Sequence, residues 1–198
     1  TPRIAARREP VRRGGAAVVR YTIDEDVTTS GVLVAGYFVP GYLQKDGSYI
    51  CFFPFPYTMT AKDYKNSVEI TATDLAGNIT KNRLTVMAFE RVFKSDSLEL
   101  TDNFLLSVEG KLRHLAPNAA NPLECYLYIN NQVRAANVDD LRNISRDSAS
   151  AMLWSGVFTR MPRSAPRAGF ADHRFYSYQG KQVGESYHLG FDLASVRN

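Results

Sequence analysis

The chain has 198 residues, of which 44% are hydrophobic, 12% aromatic and 22% charged, and its formal net charge is +4. This composition is typical of a globular protein of one or two domains with a sizeable core, and it argues against a disordered chain. No stretch holds the roughly 20 apolar residues that cross a bilayer. The most apolar run, 31–43, is interrupted by Gly36, Pro40 and Gly41.

The positive charge is concentrated at the start of the sequence. Residues 1–20 hold six arginines against one glutamate, which leaves +5 there and −1 over the remainder (Arg3, Arg7, Arg8, Arg12, Arg13 and Arg20 against Glu9). Such an arm would suit anionic lipid or an anionic cell-wall polymer, but we favour a solvated leader or a charged edge strand that resists pairing. We expect no nucleic-acid partner, because no aromatic residues alternate with these arginines to stack on bases.

The region up to about residue 90 is predicted to be β structure. Strand-forming residues fill 17–23, and short apolar runs at 31–39 and 49–55 end at proline-containing segments. Cys51 and Cys125 both lie among apolar residues, and no Cys-x-x-Cys motif is present. A disulfide between them and two separate core thiols are both compatible with the sequence.

A hairpin is the strongest signal in this first region. Residues 68–72 alternate apolar and polar side chains, the chain turns at 74–78, and Leu84 and Val86 are placed on the returning strand. The run Thr71-Ala-Thr-Asp-Leu-Ala-Gly-Asn78 followed by Leu84-Thr-Val86 resembles the final hairpin of bacterial immunoglobulin-like domains. The resemblance implies an immunoglobulin-like β-sandwich over 1–90 that acts as a spacer or presentation module.

The region 91–150 is predicted to be a helical connector. Thr101 is a candidate N-cap for a short helix. A stronger start signal follows, with Asn121 as N-cap, Pro122 in the first turn and Glu124 at the third helical position. Another helix is expected to begin within 137–142, where two aspartates lie in the first turn.

The region 151–198 returns to glycine, proline and aromatic residues. Residues 161–166 are predicted to form a loop, and 175–178, 179–181 and 182–183 to form a strand, a tight turn and a strand. The fold class expected for the whole chain is therefore mainly β with a helical connector.

His188 and Asp192 are the candidate metal ligands. Both residue types bind zinc. In a straight strand, positions four apart lie about 13 Å from each other, whereas two donors to one zinc lie within about 4 Å. A shared metal therefore requires a bend, and we place it at Gly190, because glycine accepts backbone angles that other residues avoid.

The segment His188-Leu-Gly-Phe-Asp192-Leu-Ala-Ser195 resembles the first zinc motif of the lysostaphin-like metallopeptidases, His-x-Gly-x-Asp-Leu/Ile-Ala. The preceding residues 168–181 are similar to the lead-in strands of that domain. The resemblance implies a zinc peptidase domain that starts in 151–198, zinc as the cofactor, and hydrolysis of peptide cross-links in bacterial peptidoglycan. It also implies that His188 and Asp192 are two of the zinc ligands.

The sequence departs from the family pattern in one respect. The family's later His-x-His motif supplies a third ligand and a catalytic histidine, but this chain holds only His114, His173 and His188. His173 is a minor candidate for the site and His114 is expected to be structural. We expect no catalytic residue and no activity in the 198 residues, and we expect that further sequence precedes Thr1 and follows Asn198.

The leading hypothesis is the N-terminal part of a periplasmic or envelope-located zinc endopeptidase, with peptidoglycan as its partner. Proximity to the inner membrane through a removed N-terminal anchor is part of this hypothesis. The alternative is a non-catalytic scaffolding or hydrolase-activating module of the same shape. A plain adhesion domain is a third interpretation, supported only by the expected sandwich.

Overall fold

The structure is a computed structural model that describes residues 10–196. Of these residues, 37% lie in strands and 24% in helices, so the predicted fold class, mainly β with helices between two β-rich parts, is confirmed. The arginines at positions 3, 7 and 8 of the predicted basic arm lie outside the described residues. Within 10–196, no helix combines the length and apolar character that a bilayer span needs.

The chain forms two compact units. The first contains the chain up to Val92 together with Ser150–Val157, and the second contains Phe93–Ala149 and the chain from Phe158. The helices of the predicted connector and the last strands thus belong to the same unit. Cys51 lies in the first unit and Cys125 in the second, and both are buried free thiols.

Within the described residues, the first unit is built from nine short strands and one helix. In chain order they are β1 (Pro10–Arg12), β2 (Ala16–Tyr21), β3 (Val27–Val34), β4 (Tyr37–Pro40), β5 (Tyr42–Leu43), β6 (Tyr49–Pro54), α1 (Ala61–Ser67), β7 (Glu69–Asp74), β8 (Ile79–Arg83) and β9 (Met87–Phe89). Antiparallel pairing gives one sheet with the order β4-β3-β7-β8 and another with the order β2-β6-β5, and β1 pairs parallel with β9.

The core of the first unit is apolar and receives side chains from both sheets. Strand β2 alternates exposed and buried positions, so every second side chain faces inward. Val19 of β2, Phe53 of β6 and Val32 of β3 belong to the same buried cluster. The Phe55 and Tyr64 rings stack at 4.1 Å within it. Two sheets that share one core make a sandwich, as the sequence predicted.

Two predictions for the first unit need correction, and one helix was not predicted. The run 31–39 is a hairpin of β3 and β4, because Ala35 and Gly36 adopt positive φ angles of 51° and 80°. The strand after the 74–78 turn is Ile79–Arg83, so the placement of Leu84 and Val86 on it was wrong. Helix α1 was missed, although Thr60 caps it by accepting from the Asp63 N–H.

The second unit combines helices with two small sheets. Its elements are β10 (Ser95–Glu99), α2 (Asp102–Leu112), a 3₁₀ turn (Arg113–Leu115), α3 (Pro122–Tyr128), a π-helical segment (Ile129–Val133), α4 (Arg134–Ser145), β11 (Ser164–Ala168), β12 (His173–Tyr178), β13 (Lys181–Tyr187) and β14 (Asp192–Ser195). Strand β12 lies between β10 and β13, and β11 pairs with β14.

The sequence signals for the caps in this unit are confirmed. Thr101 accepts from the N–H of Phe104, and Asn121 accepts from the N–H of Glu124 at 2.9 Å. The predicted helix start within 137–142 was wrong, because α3 continues through the π-helical segment into α4 without a break. The predicted loop 161–166 was wrong in its second half, where β11 begins, and strand β10 was missed.

Candidate metal centre at the end of strand β13

His188 follows directly after strand β13, which forms a hairpin with β12. The turn of this hairpin is Gln179-Gly180, with φ angles of 50° and 74°, as two-residue hairpin turns require. The register places His173 opposite Tyr187. The pairing of β12 with β13 therefore fixes the position of His188, which lies at the end of the hairpin away from its turn.

A tight turn at 169–172 holds the backbone of His188. The His188 N–H donates to the Asp172 carbonyl at 2.8 Å, and the His188 carbonyl accepts from the Ala171 N–H at 2.7 Å. Both backbone groups of His188 are thus used, so its position is set by the turn and not by strand pairing alone.

Asp192 is the first residue of β14 and is held by a different strand. It lies opposite Ala168, the last residue of β11, next to an irregularity in the pairing between Pro166 and Ala168. The chain between the two candidate ligands bends at Gly190. His188 therefore follows a strand of one sheet, and Asp192 begins a strand of another sheet in the same unit.

The bend brings the two side chains together. His188 Nε2 lies 3.4 Å from Asp192 Oδ1, compared with about 13 Å for these positions along a straight strand. The bend was predicted at Gly190 because glycine can adopt unusual backbone angles. Gly190 does not use this freedom, since its φ angle is not positive. A methyl group at Gly190 would lie 3.9 Å from His188 Nε2, which is ordinary contact.

The two donor atoms have the separation of metal ligands, and the imidazole nitrogen is buried. Donors about 2.0–2.2 Å from a tetrahedral zinc lie about 3.4 Å from each other. His188 Nε2 is buried and makes no hydrogen bond, although Asp192 Oδ1 lies near it. The His188 side chain is 15% exposed and that of Asp192 57%, so the pair opens to solvent on the carboxylate side. These two residues fit a zinc ion as half of its ligand set.

The structure places the other histidines elsewhere. His173 Nε2 lies 3.2 Å from Glu185 Oε2, and its ring stacks on Tyr187 at 4.3 Å. His114 is exposed in the 3₁₀ turn. Within residues 10–196, no group of three or more His, Cys, Asp or Glu side chains lies close enough to hold a metal together.

Sequence reasoning treated 168–172 only as part of a lead-in strand. The structure shows that this segment contacts both candidate ligands through its backbone. The local signal was Asp172 itself, since aspartate side chains readily hydrogen-bond to nearby backbone groups in turns.

No protein-family model and no curated protein matches the chain. Among solved structures, the chain is similar to one described as the titin domains z1z2 in complex with telethonin, with 14% identity and a TM-score of 0.30. The match covers 50% of this chain and spans about half (55%) of the titin chain. A likeness at this level supports no conclusion about the function of the chain.

Proposed function

We propose that the chain is the N-terminal part of a bacterial cell-wall zinc metalloendopeptidase, and that His188 and Asp192 are two protein ligands of its zinc. The observation that supports the proposal is the buried His188 Nε2, which has no hydrogen bond and lies 3.4 Å from Asp192 Oδ1. A buried ring nitrogen that makes no hydrogen bond is costly unless it binds another group. The resemblance of 188–195 to the family's first zinc motif supports the same assignment.

In the proposed enzyme, zinc would polarise the substrate carbonyl and lower the pKa of a water molecule towards 7. The His188 imidazole would be the ligand on the buried side of the site. The backbone of this residue is held at both its N–H and its carbonyl by hydrogen bonds to the 169–172 turn. Asp192 contributes a negative charge on the side open to solvent. The third ligand and the general base would come from a His-x-His motif beyond the printed residues, so these 198 residues are proposed to be inactive by themselves.

The proposed substrate is the peptide cross-link of peptidoglycan, and the proposed location is the periplasm or the cell envelope, with an inner-membrane anchor as one form of attachment. The sandwich would act as a spacer that presents the second unit to the wall. The support for this part is the family resemblance together with the two-sheet architecture of the first unit.

The second candidate is a non-catalytic scaffolding or hydrolase-activating module. The observation that favours it is the same contact between His188 and Asp192, because a protonated histidine 3.4 Å from a carboxylate makes an ion pair without any metal. The two candidates differ in whether zinc binds to this pair.

Zinc titration of the full chain, followed by the NMR signals of the three imidazoles, distinguishes the two candidates. We expect weak 1:1 binding that perturbs His188 and is lost in His188→Ala and Asp192→Ala. His173→Ala is the matched control and should bind as the unmodified chain does, because His173 is engaged with Glu185.

A titration in which His188 does not respond to zinc would overturn the zinc proposal and favour the scaffold. Tight binding of one zinc ion per chain to these 198 residues would contradict the hypothesis that their ligand set is incomplete. The sequence that follows these residues in the parent gene is an independent check, since the proposal requires a His-x-His motif there.

A further inference from the structure

We infer that Asp172 is a positioning residue that sets the place of the His188 imidazole relative to Asp192. The metal aspect of this inference rests on the proposed function. The geometric aspect does not, because it concerns hydrogen bonds within the chain itself.

The first observation is how Asp172 closes its own turn. Its Oδ2 accepts from the Gly169 N–H at 2.7 Å, and its N–H donates to the Gly169 carbonyl at 3.2 Å. One residue thus satisfies both backbone groups of the other end of the turn. A carboxylate that accepts a backbone N–H makes a stronger bond than a neutral acceptor does.

The second observation is the conformation that this closure maintains. Ala171 is fully buried and has a φ of 65°, a left-handed value that residues with a Cβ rarely adopt. Such a conformation persists only where surrounding contacts enforce it, and it is frequently found at functional sites. The closing bonds of Asp172 and the bond from the Ala171 N–H to His188 are the contacts that hold it here.

The third observation is what the turn holds. The Ala171 N–H and the Asp172 carbonyl bond to the two backbone groups of His188 at 2.7 and 2.8 Å. The preceding residue on the other side of the turn, Ala168, pairs with Asp192 across β11 and β14. One five-residue segment therefore holds both candidate ligands, and its internal geometry determines their separation.

Asp172 acts in this scheme through the backbone. Its carboxylate has its hydrogen-bond partner within the turn, and its effect reaches the imidazole by way of the Ala171 and Asp172 peptide groups. Removing a group that hydrogen-bonds directly to a metal ligand commonly changes metal affinity about 10- to 100-fold. Asp172 lies one step further from the imidazole, so this range is the upper bound for the effect of its removal.

The test compares Asp172→Ala and Asp172→Asn with the unmodified full chain. The readouts are amide hydrogen exchange at Ala171 and His188, and the nuclear Overhauser contact between the His188 ring and the Asp192 β-protons. We expect Asp172→Ala to accelerate exchange at both amides by about tenfold or more, and to lose the contact, because the turn opens locally. Asp172→Asn should retain most of both, since its amide oxygen can still accept from Gly169.

Asp74→Ala is the control for a general effect of opening a turn. The Asp74 carboxylate accepts from the N–H groups of Ala76 and Asn78 in the first unit and makes the same kind of closure. It should leave exchange at His188 unchanged. Unchanged exchange and an intact contact in Asp172→Ala would overturn the inference, and so would an equal loss in Asp74→Ala.

Zinc affinity is measured on the same variants and separates the two proposals. If the unmodified chain binds no zinc at His188, the proposed function fails, while the exchange and the ring contact still decide the role of Asp172. If zinc binds and Asp172→Ala binds it as tightly as the unmodified chain does, the inference fails and the proposed function stands.

Discussion

The thiol of Cys51 lies inside the sandwich, fully buried, and donates to the Val39 carbonyl at 3.4 Å. Burial raises the pKa of this thiol to about 11. Because the thiolate is the reactive form, Cys51 lacks both access and ionisation at neutral pH. In a Cys125→Ser chain, we expect no reaction with a thiol reagent under native conditions and full reaction in denaturant, measured by absorbance. Native reaction at the rate of an exposed cysteine would contradict this burial.

Tyr21 gives the first unit a dependence on alkaline pH. Its hydroxyl lies 2.7 Å from Ser30 Oγ, and burial raises its pKa from the ordinary 10.0 to about 12. The unfolded chain therefore releases this proton at a lower pH than the folded chain does. Its contribution to stability is complete below pH 10 and is lost as the pH rises from 10 to about 12.

The measurement is the melting temperature of the unmodified chain and of Tyr21→Phe as a function of pH. At neutral pH we expect the substitution to cost about 1–3 kcal/mol, because the buried Ser30 hydroxyl loses its partner. Above pH 10 the variant should lose stability less steeply, although not with zero slope, since burial also raises the pKa of Tyr64. Equal slopes in both chains would rule out this role for Tyr21.

Substitution of two glycines by alanine tests how tightly strand β3 and helix α2 are packed. A Cβ at Gly31 in β3 would overlap the backbone oxygen of Val39 and lie 2.8 Å from two ring carbons of Phe38, whereas a Cβ at Gly110 in α2 would meet nothing within 4 Å. We expect Gly31→Ala to destabilise its unit by about 1–3 kcal/mol or more, since the β3–β4 pair must shift. Gly110→Ala should stabilise its unit by about 0.5–1 kcal/mol. Denaturant unfolding of both variants is the test, and effects of equal sign would contradict it.

Helices and strands could be predicted from the sequence where the contact that stabilises them joins residues close together in the chain. The caps of α2 and α3 were found because Thr101 and Asn121 act on residues three positions away. The hairpin after Gln179-Gly180 was found because its turn needs positive φ. Strand β10 was missed because its strand state comes from parallel pairing with β12, more than 70 residues later, and all five of its side chains are exposed.

The candidate site was predictable only in part for the same reason. The choice of His188 and Asp192 came from their residue types together with the family resemblance, and their spacing indicated that a shared metal needs a bend between them. The role of 168–172 does not, because it arises when two separate strand pairs, β11–β14 and β12–β13, meet at one turn. The candidate pair lies within one short stretch of sequence, whereas the contacts that support it depend on the pairing of distant strands.

At the scale of the whole molecule, each unit has its own apolar core. Val32, Phe53 and Tyr64 belong to the cluster of the first unit, and Leu100, Leu105 and Tyr176 form that of the second. The segment Ser150–Val157 returns to the first unit, where the ring of Trp154 lies 6.3 Å from that of Phe52. The candidate ligands lie entirely within the second unit, so their integrity is expected to follow the stability of that unit.

Separate cores predict two thermal transitions, because each unit can lose its core while the other keeps its own. We expect calorimetry of the full chain to resolve two transitions, with Gly31→Ala lowering only one and Gly110→Ala raising only the other. The contact between the His188 ring and the Asp192 β-protons can be followed by NMR during heating. It should disappear in the transition of the second unit, the one whose temperature Gly110→Ala raises. A single transition in which calorimetric and van't Hoff enthalpies agree, moved by both substitutions, would show instead that the two cores unfold as one cooperative body.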